Sequence, residues 1–190
     1  MTPQIQIKNL TIKYDDTTVM NDFSYDFGIG TYAVMGPSGI GKTSLINAIL
    51  GLIPFDGNIN FATEPQFSVV FQEDRLCKGI SVKKNLSMVC DCSEEELTDA
   101  LSQVNLSESL STPVSELSGG MKRRVAILRA LLAPHNILIL DEPFKGLDSD
   151  NKAIVMEYIK KKTSDKTVLL ITHDLSEAEF FNSQIINLVW

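Results

Sequence analysis

Between residues 36 and 43 the chain reads Gly36-Pro37-Ser38-Gly39-Ile40-Gly41-Lys42-Thr43, after a β-like run at 32–35 and before a helix-like run at 44–50. This G-x-x-x-x-G-K-[ST] pattern constrains the fold more than any other stretch. Its glycines let the backbone wrap a phosphate chain, its lysine reaches the outer phosphates and its hydroxyl suits Mg²⁺. The helix opening at Ser44 adds unpaired N–H groups and a positive dipole. Ordinary residue frequencies produce such a pattern by chance in on the order of one chain in 200 of this length. Since it also sits at the strand-to-helix junction its chemistry requires, nucleotide phosphate binding is favoured over a plain glycine turn.

At 190 residues the chain reads as one domain with room for a lobe. A formal net charge of −7 argues against a general nucleic-acid surface, which needs clustered cations in excess. Cys77, Cys90 and Cys92 suit neither a zinc pair nor a redox C-x-x-C, so a reducing cytosol is the simplest setting. No signal peptide is read at the start, and no apolar run approaches the roughly 18 residues that span a bilayer. A membrane role would therefore pass through a partner.

Alternating apolar residues at Ile5, Ile7, Leu10, Ile12 and Tyr14 predict a half-buried strand, with Asp15-Asp16 as its turn and a second strand over 19–27. An antiparallel β layer thus precedes the nucleotide core. Tyr14 is read first as packing, and also as a ring placed to stack on a purine. Strands are predicted over 58–62 and 67–71, the latter ending at Gln72. Residues 73–112 break the strand pattern and read as an inserted helical lobe, with Ser93 and Glu96 as a capping box. The core then comprises 1–72 and 113–190.

The lobe closes on Leu117-Ser118-Gly119-Gly120-Met121-Lys122-Arg123-Arg124, ahead of a helix predicted over 125–133. Three cations near a helix start oppose the dipole, which makes sense if an anion docks there. The apolar run 136–140 predicts a central strand covered on both faces, delivering Asp141 and Glu142 at its C-terminal end. Asp141 suits a Mg²⁺ shell, and Glu142 can accept a proton from a water attacking the terminal phosphate. A strand over 167–172 ends at His173. In an open α/β sheet ligands gather at the C-terminal strand edge, and four strands here deliver Gly36, Gln72, Asp141-Glu142 and His173 to it.

With these residues in place the chain resembles the ATP-binding cassette (ABC) family over nearly its full length. The resemblance implies an α/β P-loop NTPase core with a mainly parallel sheet, an N-terminal antiparallel layer and an inserted helical lobe. It makes residues 36–43 the Walker A loop, Gln72 the Q-loop glutamine, and 117–121 the signature. Asp141-Glu142 ends Walker B, Asp148 is the D-loop and His173 the switch histidine. Tyr14 falls at the adenine-stacking position. Implied ligands are ATP on residues 36–44, Tyr14, Gln72, Ser118, Gly119, Gly120 and Asp148, and Mg²⁺ on Thr43, Gln72 and Asp141. The implied catalytic set is Lys42, Gln72, Glu142 and His173.

Two departures stand out: Met121 replaces the usual signature glutamine, and the end at Trp190 reads as a minimal form without a C-terminal regulatory domain. Phrases at 71–76, 121–126 and 141–148 resemble importers of the nitrate, sulfonate and taurine type. The implied partners are a membrane permease, a second copy of the chain arranged head to tail, and a solute-binding protein, with the chain on the inner face of the cell membrane. The alternative is a soluble ABC-type ATPase serving DNA maintenance or regulation. That class inserts long coiled coils between residues 43 and 117, and no heptad run occurs there. A switch GTPase would need N-K-x-D, and Ile154 has the wrong chemistry after Asn151-Lys152-Ala153. A non-catalytic binding module is disfavoured by the joint presence of Lys42, Glu142 and His173.

Overall fold

The computed structural model describes residues 4–188, so Trp190, where the minimal form was expected to end, lies outside the described residues. In chain order the elements are β1 (Ile5–Tyr14), β2 (Thr17–Phe27), β3 (Gly30–Met35), α1 (Lys42–Ile49), β4 (Asp56–Phe61) and β5 (Phe67–Val70). There follow α2 (Val82–Leu86), α3 (Glu94–Ser102), a 3₁₀ turn (Val114–Glu116), α4 (Gly119–Leu132) and β6 (Ile137–Asp141). The chain continues through α5 (Ser149–Lys162), β7 (Thr167–Ile171), α6 (Leu175–Phe180) and β8 (Gln184–Asn187).

Alternation in β1 produces the expected antiparallel layer. Asp15 takes a positive φ of 50° at the hairpin turn, pairing Tyr14 with Thr17 and Ile5 with Phe27. The strand near residue 58 joins this layer rather than the nucleotide core, because β4 pairs with the other edge of β1 to give the order β2-β1-β4.

The second sheet is parallel, ordered β5-β6-β7-β3-β8. Its central strands β6 and β7 carry unbroken apolar runs, residues 137–140 and 168–171, because both faces are covered. Successive side chains point to opposite faces, which divides one run between two cores. Leu138, Leu140, Val168 and Leu170 pack with α4, α5 and the lobe helices. Ile137, Ile139, Leu169 and Ile171 pack with α1 and the antiparallel layer. Burying each such side chain stabilises the fold by about 1.5–3 kcal/mol relative to exposure.

The lobe has no separate core: Leu86, Leu97 and Leu101 share one cluster with the sheet's Leu138 and Leu140. The helices predicted there are short, and much of 73–112 is turn. Ser93 and Glu96 form the expected capping box at the start of α3. The helix predicted over 125–133 begins six residues earlier. Ser118 is its N-cap and accepts from Met121 N at 3.2 Å, so two glycines, poor helix formers, occupy the first turn. Cys90 and Cys92, whose spacing suited no familiar pair, are joined as a disulfide with Cα atoms 5.4 Å apart, while Cys77 is free and exposed. Among the described residues no helix is long and apolar enough to cross a membrane.

Candidate active site

The strand order sets the site. Parallel strands β3, β5, β6 and β7 end on one edge, and the turns leaving them line a cleft of about 280 Å³. Its walls include Ser38, Gly39, Gly41, Lys42, Thr43 and Ser44 from one side, with Gln72, Asp141, Glu142 and His173 opposite.

Leaving β3, the chain needs two backbone geometries that glycine supplies. Gly36 has φ 146°, and a β-carbon there would lie 2.9 Å from Leu188 O; Gly41 has φ 107°, with Val19 Cγ1 2.9 Å from the same hypothetical atom. Gly41 is the N-cap of α1, so the helix amides open toward the cleft without a side-chain cap. Lys42 is buried, and its Nζ donates to Gly36 O at 2.7 Å and Pro37 O at 2.9 Å. Burial pulls its ammonium below the ordinary range, against the charges of Glu142 and Asp141. This is a backbone cradle for an anion, with the Lys42 ammonium held beside it. Tyr14 is 45% exposed at the end of β1, and its hydroxyl lies 3.3 Å from Ser44 Oγ, so its ring borders the same helix start.

Asp141 and Glu142 leave β6 together. Burial first, and the Glu142 charge second, push the Asp141 carboxyl above the ordinary carboxylate range. Asp141, Thr43 and Gln72 all line the cleft, and their side-chain oxygens are of the hard donor type that Mg²⁺ takes. Glu142 sits at φ 44°, unusual for a residue with a side chain. Its carboxylate meets His173 Nε2 at 3.1 Å on one oxygen and Gln72 Nε2 at 3.5 Å on the other.

Ser118, Gly119, Gly120 and Asp148 do not line this cleft. The start of α4 instead adjoins the turn before α5, where a β-carbon on Gly120 would lie 3.5 Å from Gly146 O and 3.6 Å from Leu147 Cδ2. Asp148 caps α5, and hydrogen bonds from Asn151 hold its carboxyl low. Met121, where the resemblance leads one to expect glutamine, packs partly buried against the core shared by lobe and sheet.

The anion expected at the basic turn is corrected for two of its three cations. Arg123 and Arg124 are buried and donate to backbone carbonyls, those of Val104 and Asn105 in the case of Arg124. Lys145 also reaches the site, its Nζ 3.4 Å from Glu142 Oε2, and only its spacing of three from Glu142 signals this in the sequence. The segment that carries His173 is supported by a further network. Thr172 donates to buried Glu177, and Lys152 Nζ pairs with Glu177 at 2.6 Å and Asp174 at 2.7 Å. No local pattern announced that network.

A family model described as "ABC transporter" matches residues 20–145. The chain is 33% identical over 184 residues to the Aliphatic sulfonates import ATP-binding protein SsuB 1 of Rhodococcus jostii, covering 92% of this chain and 74% of that one. It is also 33% identical over 195 residues to the Nod factor export ATP-binding protein I of Burkholderia orbicola, covering 92% of this chain and 64% of that one. The chain thus spans about two thirds to three quarters of these relatives' length. Among solved structures, one described as "Structure of ATP binding subunit of ABC transporter" superposes with a TM-score of 0.87 at 25% identity, over 97% of this chain and 85% of that one.

Proposed function

The chain belongs to the ABC transporter family, whose ATP-binding subunits characteristically hydrolyse ATP, and from that premise we propose that it drives solute import through a separate membrane permease. The observation that carries the reading is the meeting of Lys42, Thr43, Gln72, Asp141, Glu142 and His173 in one cleft.

ATP lies with its phosphates on residues 36–44 and its base against Tyr14. Lys42 and the α1 amides hold the outer phosphates, where charge develops in phosphoryl transfer. A water oxygen bonds to the terminal phosphorus as the bond to the bridging oxygen breaks, and Glu142 takes the water's proton. His173 and Gln72 hold that carboxylate on opposite oxygens. Thr43, Gln72 and Asp141 would hold a Mg²⁺ ion, which would neutralise charge on the phosphates. Ser118, Gly119, Gly120 and Asp148 lie off the cleft because they serve the ATP of a second copy, packed head to tail about a two-fold axis.

The permease docks between lobe and core near residues 72–76, on the inner face of the membrane, and a solute-binding protein completes the system. The import direction rests on similarity to the sulfonate relative; the Nod factor relative's name carries the opposite one. Co-purification from membranes, followed by hydrolysis and solute-uptake assays with the recovered permease, tests the proposal. Weak basal hydrolysis, stimulation by the permease and ATP-dependent uptake are expected. Hydrolysis with no membrane partner would favour the soluble ATPase.

A further inference from the structure

The Arg123 guanidinium joins two segments that the chain keeps far apart. Nη1 donates to Phe71 O at 2.6 Å, Gln72 O at 3.4 Å and Asp74 Oδ1 at 3.3 Å. Nη2 donates to Asp141 O at 2.9 Å and Glu142 O at 2.6 Å, and Nε to Pro143 O at 2.8 Å. The side chain is 5% exposed. A guanidinium has five N–H donors in a fixed planar fork, so its whole capacity is engaged here. Of the three arginines on α4, Arg124 holds the lobe carbonyls of Val104 and Asn105, and Arg129 holds those of Asp74 and Arg75. Arg123 holds both the Gln72 turn and the Glu142 turn.

Each turn needs holding. The carbonyls of Phe71 and Gln72 follow the short strand β5, past the point where its ladder to β6 ends at Val70 and Leu140. Glu142 is in the left-handed region at φ 44°, a conformation that persists only where its surroundings enforce it. The grip on the carbonyls on both sides of the Glu142 peptide plane and on Pro143 O enforces it here.

We propose that Arg123 is a positioning residue for ATP hydrolysis: it fixes the Gln72 and Glu142 turns in one mutual register, so that both side chains address the same phosphate. The proposal rests on the reading of Glu142 as the base. Lysine keeps the charge but concentrates it at one point that cannot span both turns. In Arg123→Lys, kcat should therefore fall on the order of 10–100-fold, the cost of a misplaced catalytic group, with KM for ATP within about twofold. In a Glu142→Gln background the same change should remove less than about twofold of the residual rate, because the group being positioned is already disabled.

A merely structural arginine would lower ATP binding and turnover together, with equal loss in both backgrounds, and that result overturns the proposal. Turnover of Arg123→Lys within twofold of wild type also overturns it. Arg123→Gln, which retains a planar donor, should lie at or below the lysine variant in kcat, again with KM kept; if neither variant folds, Arg123 serves folding alone and the proposal fails. Should Glu142→Gln itself keep near-normal turnover, the base assignment is what falls, and the kcat-against-KM split of Arg123→Lys in the wild-type background decides the role of Arg123.

Discussion

His173 Nε2 lies 3.1 Å from Glu142 Oε1, although the two residues are 31 positions apart in the chain. Backbone register creates the meeting. β6 and β7 are adjacent and parallel, Asp141 is paired with Ile171, and Glu142 N donates to Ile171 O at 3.0 Å. The left-handed turn at Glu142 then brings its carboxylate back toward the residue leaving β7. The other carboxylate oxygen meets Gln72 and Lys145, so the group is oriented from two directions before any water arrives.

An oriented carboxylate makes the first prediction quantitative. Glu142→Gln keeps the shape and loses the basicity, so hydrolysis should fall about 10²–10⁴-fold, the usual contribution of a general base. The cradle at residues 36–43 is untouched, and ATP affinity should stay within a few-fold. Single-turnover hydrolysis beside equilibrium nucleotide binding separates the two quantities, and turnover within a few-fold of wild type would remove Glu142 from the role.

Gly41→Ala tests the cradle. The position has φ 107°, and the new β-carbon would meet Val19 Cγ1 at 2.9 Å and Val19 O at 3.2 Å. Strain of this kind costs about 1–3 kcal/mol, which lowers Tm by roughly 2–4 °C per kcal/mol in a chain of this size. Nucleotide affinity should fall as well, because the α1 amides shift with the loop. Gly79→Ala is the control: nothing lies within 4 Å of its added carbon, and stability should change by less than about 0.5 kcal/mol. Calorimetry of both variants with and without ATP would expose a mistaken assignment if Gly41→Ala behaved like the control.

What the sequence revealed and what it hid divide along the range of the interactions. The phosphate loop, the Asp141-Glu142 pair and the ends of β5 and β7 were legible because each is a local pattern, an apolar run meeting a polar residue at a strand's C-terminal end. Arg123 was not. As three cations near a helix start, residues 122–124 suggest an anion, yet Arg123 reaches carbonyls of residues 71 and 72 and of 141–143. Partners that far away leave no periodicity to read. The early start of α4 was hidden for a different reason: Gly119 and Gly120 disfavour helix by propensity, and the Ser118 cap outweighs it.

Lys152 joins α5 to the segment that carries His173. Burial pulls its ammonium down, but hydrogen bonds to Asp174 and Glu177 outweigh it and leave it raised. Lys152→Ala strands Glu177, whose side chain is only 9% exposed, and should cost about 2 kcal/mol at neutral pH, below the 3–5 of a fully buried pair because Lys152 is partly solvated. The pH dependence follows from Asp174, whose carboxyl is held at about 2 chiefly by the Lys152 hydrogen bond. A depressed carboxyl stabilises the fold above its ordinary value of 3.8 and loses that contribution as pH falls through about 2. The stability gap between wild type and variant should therefore be full at pH 7 and narrow on acidification below about pH 4. Urea unfolding at stepped pH measures it, and a gap that widened toward acid would contradict the assignment.

The last prediction concerns Ser118 and Lys42, which one chain does not bring to the same cleft. If ATP on Lys42 is closed over by residues 118–120 of a second copy, two composite sites arise about a two-fold axis. Mixing a Lys42→Ala subunit with a Ser118→Arg subunit then places both defects in one site of the heterodimer. The other site combines an intact Lys42 with an intact Ser118 and should still occlude one nucleotide. Homodimers of either variant should occlude none, since every site in them carries one defect. Occlusion of radiolabelled ATP with Mg²⁺ is the better readout, because coupling between sites can silence turnover where one site is whole. Purified heterodimers that trap no nucleotide, beside a wild-type pair that does, would return the search for the completing residues to a single chain.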